Sequence, residues 1–436
     1  MNAREASLEA LEKCRRDGAW SAAVIDAAIK KAALDQREAA LASRIVLGVL
    51  QNQTLCDFYI SRLCTVKKIE PKVRDILRMG IYQILFLDRI PARAAVNETV
   101  ALCRSAGYAR AAGLVNAVLR RVSDSRDNLP AIPNEGTAEH LSVKYSHPLW
   151  LAERLTDEKG YAFTEDFFAA DNQPPKLDIQ VNTLKISVED YSRLLTENGA
   201  AHTVCAFPSG CIELEGGSVT ALPGFEEGLF YVQDAAARTA AEISGVCSGD
   251  RVLDVCAAPG GKSFAAAIKM ENTGSILSCD IHEKKLRLIL EGAGRLGIEI
   301  IETLCNDARS LREEFVGAFD TVIADVPCSG IGVIRKKPEI RFKKEAELSA
   351  LPQIQLDILK TASRYVKRNG TLLYSTCTVL RSENEAVVES FLEENRGFKL
   401  CPYEAGAVKA ENGMHTFWPN TDGTDGFFAA KLIRTE

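Results

Sequence analysis

Long apolar runs are missing from this 436-residue chain: none approaches the ~20 residues that a membrane helix needs. Nothing near the N-terminus resembles a signal peptide, so a cytoplasmic protein is expected. Low-complexity tracts are also absent, and 46% hydrophobic against 26% charged residues is a globular composition. The 13 cysteines are an odd number without any C-x-x-C spacing, which argues against a disulfide framework and against a zinc site. Reduced thiols and no bound metal are the expectation. The net charge of −6 excludes a global attractive field for nucleic acid, so any such contact must come from local basic patches. A chain of this length is too long for one ordinary core, and two or three domains are expected.

What is present centres on residues 251–263, RVLDVCAAPGGKS. Val252, Leu253 and Val255 read as a short strand, Pro259, Gly260 and Gly261 as a small-residue turn, and the rest as a helix start. Glycine there lets the backbone approach a ligand, and the new helix points unpaired N–H groups at it. One helix downstream, SILSCD ends a second strand in Asp280, where a carboxylate could take both ribose hydroxyls. The turn departs from G-x-G-x-x-G, so a dinucleotide is not the natural ligand. S-adenosylmethionine, with adenosine and an amino acid but no phosphate, fits better.

Residues 1–145 look all-helical, with apolar residues three and four apart. In RDILRMGIYQILFL, Ile76, Leu77, Ile81, Ile84, Leu85 and Leu87 form mostly one face, and after Pro91 the next helix is expected from about Asn97. AGLVNAVLRRV buries Leu114, Val115, Val118 and Leu119. Basic residues gather between Arg62 and Arg78 and between Arg104 and Arg126. Residues 146–235 read as a small α+β module containing a helix capped by Ser187 and Gly199. From 236 to 436 strands and helices alternate as in a parallel α/β sheet, with strands at 251–256, 275–280, 300–305, 320–325 and 371–376. FKLCPY and FFAAKLIR suggest a closing hairpin-like pair.

In such sheets the ligand lies beyond the carboxyl ends of the strands. That rule selects the glycine turn, Asp280, Asp307, Asp325, Cys328 in PCSG and Cys377 in STC. No histidine lies near either cysteine to complete a hydrolase dyad. A methyl transfer gives two thiols a purpose. Carbon 5 of a cytosine is a poor nucleophile until a thiolate adds to carbon 6, and the carbon-5 proton must then leave before the thiol is eliminated. Asp325 could hydrogen-bond the pyrimidine edge. The run Arg335, Lys336, Lys337, Arg341, Lys343 and Lys344 offers phosphate contacts, and the target base would have to be flipped.

Two resemblances sharpen this reading. RDILRMGIYQILFLDRIPARAAVNETVALCR together with GLVNAVLRR resembles the NusB family of small helical RNA-binding proteins, which implies RNA contact through basic helix ends. DVCAAPGGKS, DVPCSGIGVIRKKPEI, YSTCTVLRSENE and DGFFAAKL resemble the motifs of the RNA cytosine-5 methyltransferases of the Sun group. By motif position that resemblance implies Cys377 as nucleophile and Cys328 as the cysteine assisting product release; the residues alone leave open which cysteine attacks. It further implies a methyl-donor site at Cys256, Ala257, Ala258, Pro259, Gly260, Gly261 and Lys262 with Asp280, Asp307 and Asp325. The implied architecture is a NusB-like all-α domain, a small α+β module and a Rossmann-like methyltransferase domain. The implied partner is 16S ribosomal RNA, unassembled or early in assembly, met by a monomer. Two departures stand out: Gln180 replaces an expected arginine and Phe342 an expected tryptophan, and both are expected to bear on RNA contacts rather than on the methyl-donor or cysteine motifs. The competing readings are the same chemistry on another RNA, such as transfer RNA, and a non-catalytic RNA-binding scaffold.

Overall fold

The structure, a computed structural model of the chain, describes residues 1–216 and 218–436. The chain divides into two compact units, Met1–Gln173 with Ile334–Glu345, and Pro174–Val333 with Ala346–Glu436.

The first unit is helical: α1 (Ala3–Asp17), α2 (Ser21–Ala32), α3 (Gln36–Gln51), α4 (Gln53–Leu63), α5 (Pro71–Phe86), α6 (Ala92–Ser105), α7 (Ala112–Asp124), α8 (Ala138–Tyr145), α9 (Leu149–Lys159) and α10 (Tyr161–Asp171). Asn2 and Glu5 start α1 with a reciprocal capping box. Helix α5 is its centre, burying Val73, Ile76, Leu77, Met79, Ile81 and Ile84. Helix α6 begins at Ala92, not near Asn97. Pro91 is the cap: its fixed φ and missing N–H suit the residue just before a helix, so the helix starts directly behind it. Val115, Val118 and Leu119 of α7 are buried as expected, with Leu114 partly so.

Arg78 does not join the basic surface. It is buried, with Nε donating to Asp57 at 2.9 Å and Nη1 to Asp75 at 3.0 Å. Arg62, Lys67, Lys68, Arg104, Arg110, Arg120, Arg121 and Arg126 remain exposed.

The second unit opens with an antiparallel sheet of β1 (Leu177–Val181), β2 (His202–Val204), β3 (Cys211–Leu214) and β4 (Phe230–Val232), in the order β2-β3-β1-β4. Helix α11 (Val188–Glu197) packs on it; Ser187 caps its start, accepting from Asp190 N at 3.1 Å. At the other end Asn198 is the cap, and Gly199, at φ +70°, lies one residue beyond it. Asn182 then ties this sheet to the end of the helix Glu283–Leu296, its amide donating to Gly228 O and Leu296 O.

After α12 (Ala235–Ser244) come β5 (Arg251–Asp254), α13 (Gly261–Lys269), β6 (Ser275–Asp280), α14 (Glu283–Leu296), β7 (Ile301–Cys305) and β8 (Phe319–Asp325). Then follow α15 (Glu345–Leu348), α16 (Leu351–Tyr365), β9 (Val366–Thr376), α17 (Glu385–Glu394), β10 (Phe398–Leu400), β11 (Tyr403–Ala405), β12 (Val408–Ala410), β13 (Met414–Phe417) and β14 (Phe427–Arg434). The sheet order is β10-β14-β9-β8-β5-β6-β7, parallel from β9 to β7 and antiparallel around β14.

Neighbouring residues on these strands bury opposite faces. Val252, Ile323 and Leu373 pack with Ala236, Phe264 and Ile289, whereas Leu253, Val322 and Leu372 pack with Leu359 and Phe391. A sheet covered on both faces needs continuous apolar strands, and that is why they read so clearly. The closing pair does form, β10 against β14, but not as a hairpin: β11, β12 and β13 lie between them in sequence, and β13 also pairs with β14.

Candidate active site

Strand order reverses between β5 and β8: from β5 the chain proceeds outward through β6 and β7, then returns to the far side of β5 as β8. At such a switch point the loops leaving two adjacent parallel strands diverge and open a crevice. The turn after β5 and Asp325 at the end of β8 flank it.

The turn folds tightly. Ala257 N donates to Cys279 O and Gly260 N to Ala257 O, both at 2.7 Å, and the Ala258–Pro259 peptide is cis. Gly260 has φ +111°, and a Cβ there would stand 2.5 Å from Phe264 Cζ. Only glycine satisfies both constraints. Helix α13 starts next, which places Gly261 and Lys262 in its first turn. Beneath the turn, Ser278 Oγ donates to Ser263 Oγ and Ser263 Oγ to Asp254 Oδ2, each at 2.8 Å. Burial raises the Asp254 carboxyl to about 7.

Lys262 Nζ lies 2.7 Å from Asp325 Oδ2 and 5.2 Å from the centre of the Phe427 ring. Burial works against the ammonium charge, but the Asp325 carboxylate outweighs it and holds Lys262 above its ordinary value. Ser375 Oγ donates to Asp325 Oδ1 at 2.9 Å, so both carboxylate oxygens are engaged while about a third of the side chain stays exposed.

Cys328 and Cys377 meet. Their sulfurs are 3.2 Å apart, one on the loop after β8 and one just past the end of its parallel neighbour β9. Gly332 N donates to Cys377 O at 3.0 Å, and a Cβ on Gly332 would strike Gly426 O at 2.0 Å, so glycine is needed where the Cys328 loop passes the segment leading into β14. The Cys377 contact, burial, and the charges of Glu383 and Asp325 push the Cys328 thiol well above its ordinary value. The Lys262 cation is in electrostatic reach of Cys377. Cys328 therefore holds its proton more tightly than a free thiol does. Burial and three surrounding carboxylates push Cys256 up as well, so its thiol stays neutral beside the turn.

The remaining acids take separate places at the same edge. Asp280 is buried at the end of β6, with Oδ1 accepting from His282 N at 2.8 Å. Asp307, beyond β7, is held by the Arg309 guanidinium through Nε at 3.1 Å and Nη2 at 2.7 Å, which keeps its carboxyl below the ordinary value.

Two expectations need correction. Arg341 of the basic run is buried in the helical unit and offers nothing to phosphate. Its Nη1 donates to Tyr145 O at 3.0 Å and contacts His147 Nδ1 at 2.9 Å, while Nη2 donates to Asn172 Oδ1 at 2.7 Å. Gln180 is buried too, its amide donating to Gln233 O at 2.9 Å, so its departure from arginine is an interior matter rather than one of RNA contact. Phe342 is exposed. Sequence reasoning passed over Asp254, Ser263 and Ser278, although the first two lie inside the quoted motif, and Ser375, beside Thr376 and Cys377.

Residues 246–433 match the 16S rRNA methyltransferase RsmB/F family, residues 1–124 the NusB family, and residues 147–220 a ferredoxin-like domain of RsmF/B-like methyltransferases. A probable ribosomal RNA small subunit methyltransferase B of Bacillus subtilis is 34% identical over 440 residues, covering 98% of each chain. The chain belongs to the ribosomal RNA small subunit methyltransferase B family. An Escherichia coli member is 31% identical over 440 residues and 99% of each chain. A solved structure, that of PH0851, superposes with a TM-score of 0.80 at 29% identity over 98% of each chain. The small subunit methyltransferase B architecture thus accounts for all three regions: a helical NusB domain, a small middle domain and a C-terminal mixed sheet with Rossmann-like parallel strands.

Proposed function

We propose that this chain transfers a methyl group from S-adenosylmethionine to carbon 5 of a cytosine in 16S ribosomal RNA, the C967 position, through a covalent cysteine–carbon-6 adduct. The observation that carries the reading is the 3.2 Å contact between Cys328 and Cys377 beside the Lys262–Asp325 pair at the switch point. The donor set suits the cofactor: Asp280 at a strand end for ribose hydroxyls, Asp307 further along the edge, and a glycine turn with free helix N–H groups. When bound, the cofactor supplies an electrophilic methyl group.

Cys377, as the thiolate, adds to carbon 6 and forms a C–S bond, which gives carbon 5 enamine character and lets it take the methyl. Asp325, fixed by Lys262 and Ser375, accepts a hydrogen bond from the amino group on the pyrimidine edge, and the Lys262 cation offsets the adduct's negative charge. The carbon-5 proton passes to water, its C–H electron pair restores the ring double bond, and the C–S bond breaks with its pair returning to sulfur as the Cys377 thiolate, which frees the methylated base. Cys328 assists that release. On this reading 1–145 is the NusB-like RNA-binding domain, 146–235 a small RNA-binding module and 236–436 the catalytic domain, in a monomeric cytoplasmic enzyme.

The test supplies unmodified 16S RNA and tritiated S-adenosylmethionine and maps the labelled base. Label on one cytosine at C967, absent with Cys377→Ala while the cofactor still binds, supports the proposal. Label on transfer RNA alone keeps the chemistry and overturns the substrate; no transfer to either RNA overturns both.

A further inference from the structure

Behind Cys328 lies a buried carboxylate that the reaction outlined above does not use. Glu383, just before α17, is 1% exposed. Its Oε2 accepts from Ser329 N at 2.8 Å and from Gln355 Nε2 at 2.9 Å. The same Gln355 amide donates to Pro327 O at 3.0 Å. The two peptide groups that flank Cys328, the carbonyl before it and the amide after it, are thus held by one Glu–Gln unit. Each partner is itself fixed. Gln355 is fully buried on α16, and the Glu383 main chain accepts from the Tyr374 hydroxyl of β9 at 2.5 Å. The next residue, Asn384, bonds Thr376 Oγ1 at 2.6 Å and Thr378 O at 3.0 Å, on either side of Cys377. Ser329 Oγ reaches Thr378 Oγ1 at 2.8 Å. One short segment therefore spans both cysteine loops.

We infer that Glu383 and Gln355 are positioning residues for product release: they clamp Pro327 and Ser329 so that the Cys328 sulfur stays against the sulfur of Cys377. The inference rests on the release role proposed for Cys328. The carboxylate is an expensive way to fix a loop, since its Oε1 is buried without a hydrogen-bond partner among the described residues. Retaining it there fits a group whose placement of Cys328 matters more than its own contribution to stability. The Glu383 charge also helps to keep the Cys328 thiol protonated. A loosened Cys328 loop leaves the attack by Cys377 and the methyl transfer possible but slows release, because a displacement of about 1 Å at a reacting group can cost about 100-fold.

The experiment follows Glu383→Ala, Glu383→Gln, Gln355→Met and Cys328→Ala in the full chain with 16S RNA. It compares single-turnover label transfer, multiple turnover and the denaturation-resistant protein–RNA band. Glu383→Ala and Gln355→Met are expected to keep single-turnover transfer within about threefold, lose about tenfold or more in turnover, and accumulate the band. Glu383→Gln keeps an oxygen that can accept from Ser329 and should restore most of the release. A band in Cys328→Ala but in neither Gln355→Met nor Glu383→Ala overturns the clamp. So does an equal loss of single-turnover and multiple-turnover rates in the well-folded Gln355→Met variant. Absence of the band in Cys328→Ala itself overturns the release role of Cys328 on which the clamp depends.

Discussion

Two charge clusters in this protein look alike on paper and differ in what they leave open. In the catalytic unit, Lys262 meets Asp325; in the helical unit, Arg341 meets His147, Asn172 and, through His147, Asp171. The second cluster is sealed. His147 and Asp171 have no exposed side-chain surface, the imidazole stacks on Phe168 at 3.8 Å, and burial and the Arg341 charge hold His147 well below its ordinary value. Burial raises Asp171 to about 6 against the pull of Arg341. Such a network is scaffold: every charge faces another group of the protein and none faces a ligand. The Lys262–Asp325 pair instead sits at the ends of parallel strands with part of Asp325 exposed, next to two thiols. A partly open cluster at a strand end is the one that can act on a substrate.

Breaking the sealed cluster should have the largest effect on stability. Arg341→Ala leaves Asp171 buried with the neighbouring cation gone and should cost about 3–5 kcal/mol, read as a lower unfolding midpoint in denaturant. Asp254 contrasts with both clusters as a buried acid below the cofactor turn. It binds its proton more tightly in the folded chain than in the unfolded one, so its contribution to stability is complete below about pH 4 and is lost as pH rises toward about 7. Asp254→Asn should remove that loss, worth at most about 4 kcal/mol, and flatten the pH dependence of stability measured between pH 5 and 8. Lys262→Met should reduce methyl transfer about 100-fold, roughly 2.7 kcal/mol, while shifting the unfolding midpoint far less than Arg341→Ala does. The smallest effect belongs to Ser375→Ala, which removes one hydrogen bond from Asp325 and should slow transfer by about 1 kcal/mol, measured under single turnover.

The parts that were legible in the sequence share a physical cause. The parallel strands are covered on both faces and so are written as unbroken apolar runs, and the strand-end rule then points to Asp280, Asp325, Cys328 and Cys377 without any coordinates. What was hidden depends on tertiary choice. A charge run such as 335–344 does not say which member goes inside, and Arg341 does so because His147 and Asn172 await it on another segment. Strand β14 enters the sheet between β9 and β10, a placement that sequence order disguises. Glu383 and Gln355 are 28 residues apart and meet only because α16 and the start of α17 both pack behind the same two loops.

The most direct test of the account is a denaturing gel of Cys377→Ser and Cys328→Ala, each incubated with unmodified 16S RNA and S-adenosylmethionine. The roles assigned here predict a covalent protein–RNA band with Cys328→Ala, because attack proceeds and release stalls, and no band with Cys377→Ser. A band that forms with Cys377→Ser and fails with Cys328→Ala would contradict the assignment of nucleophile and release group.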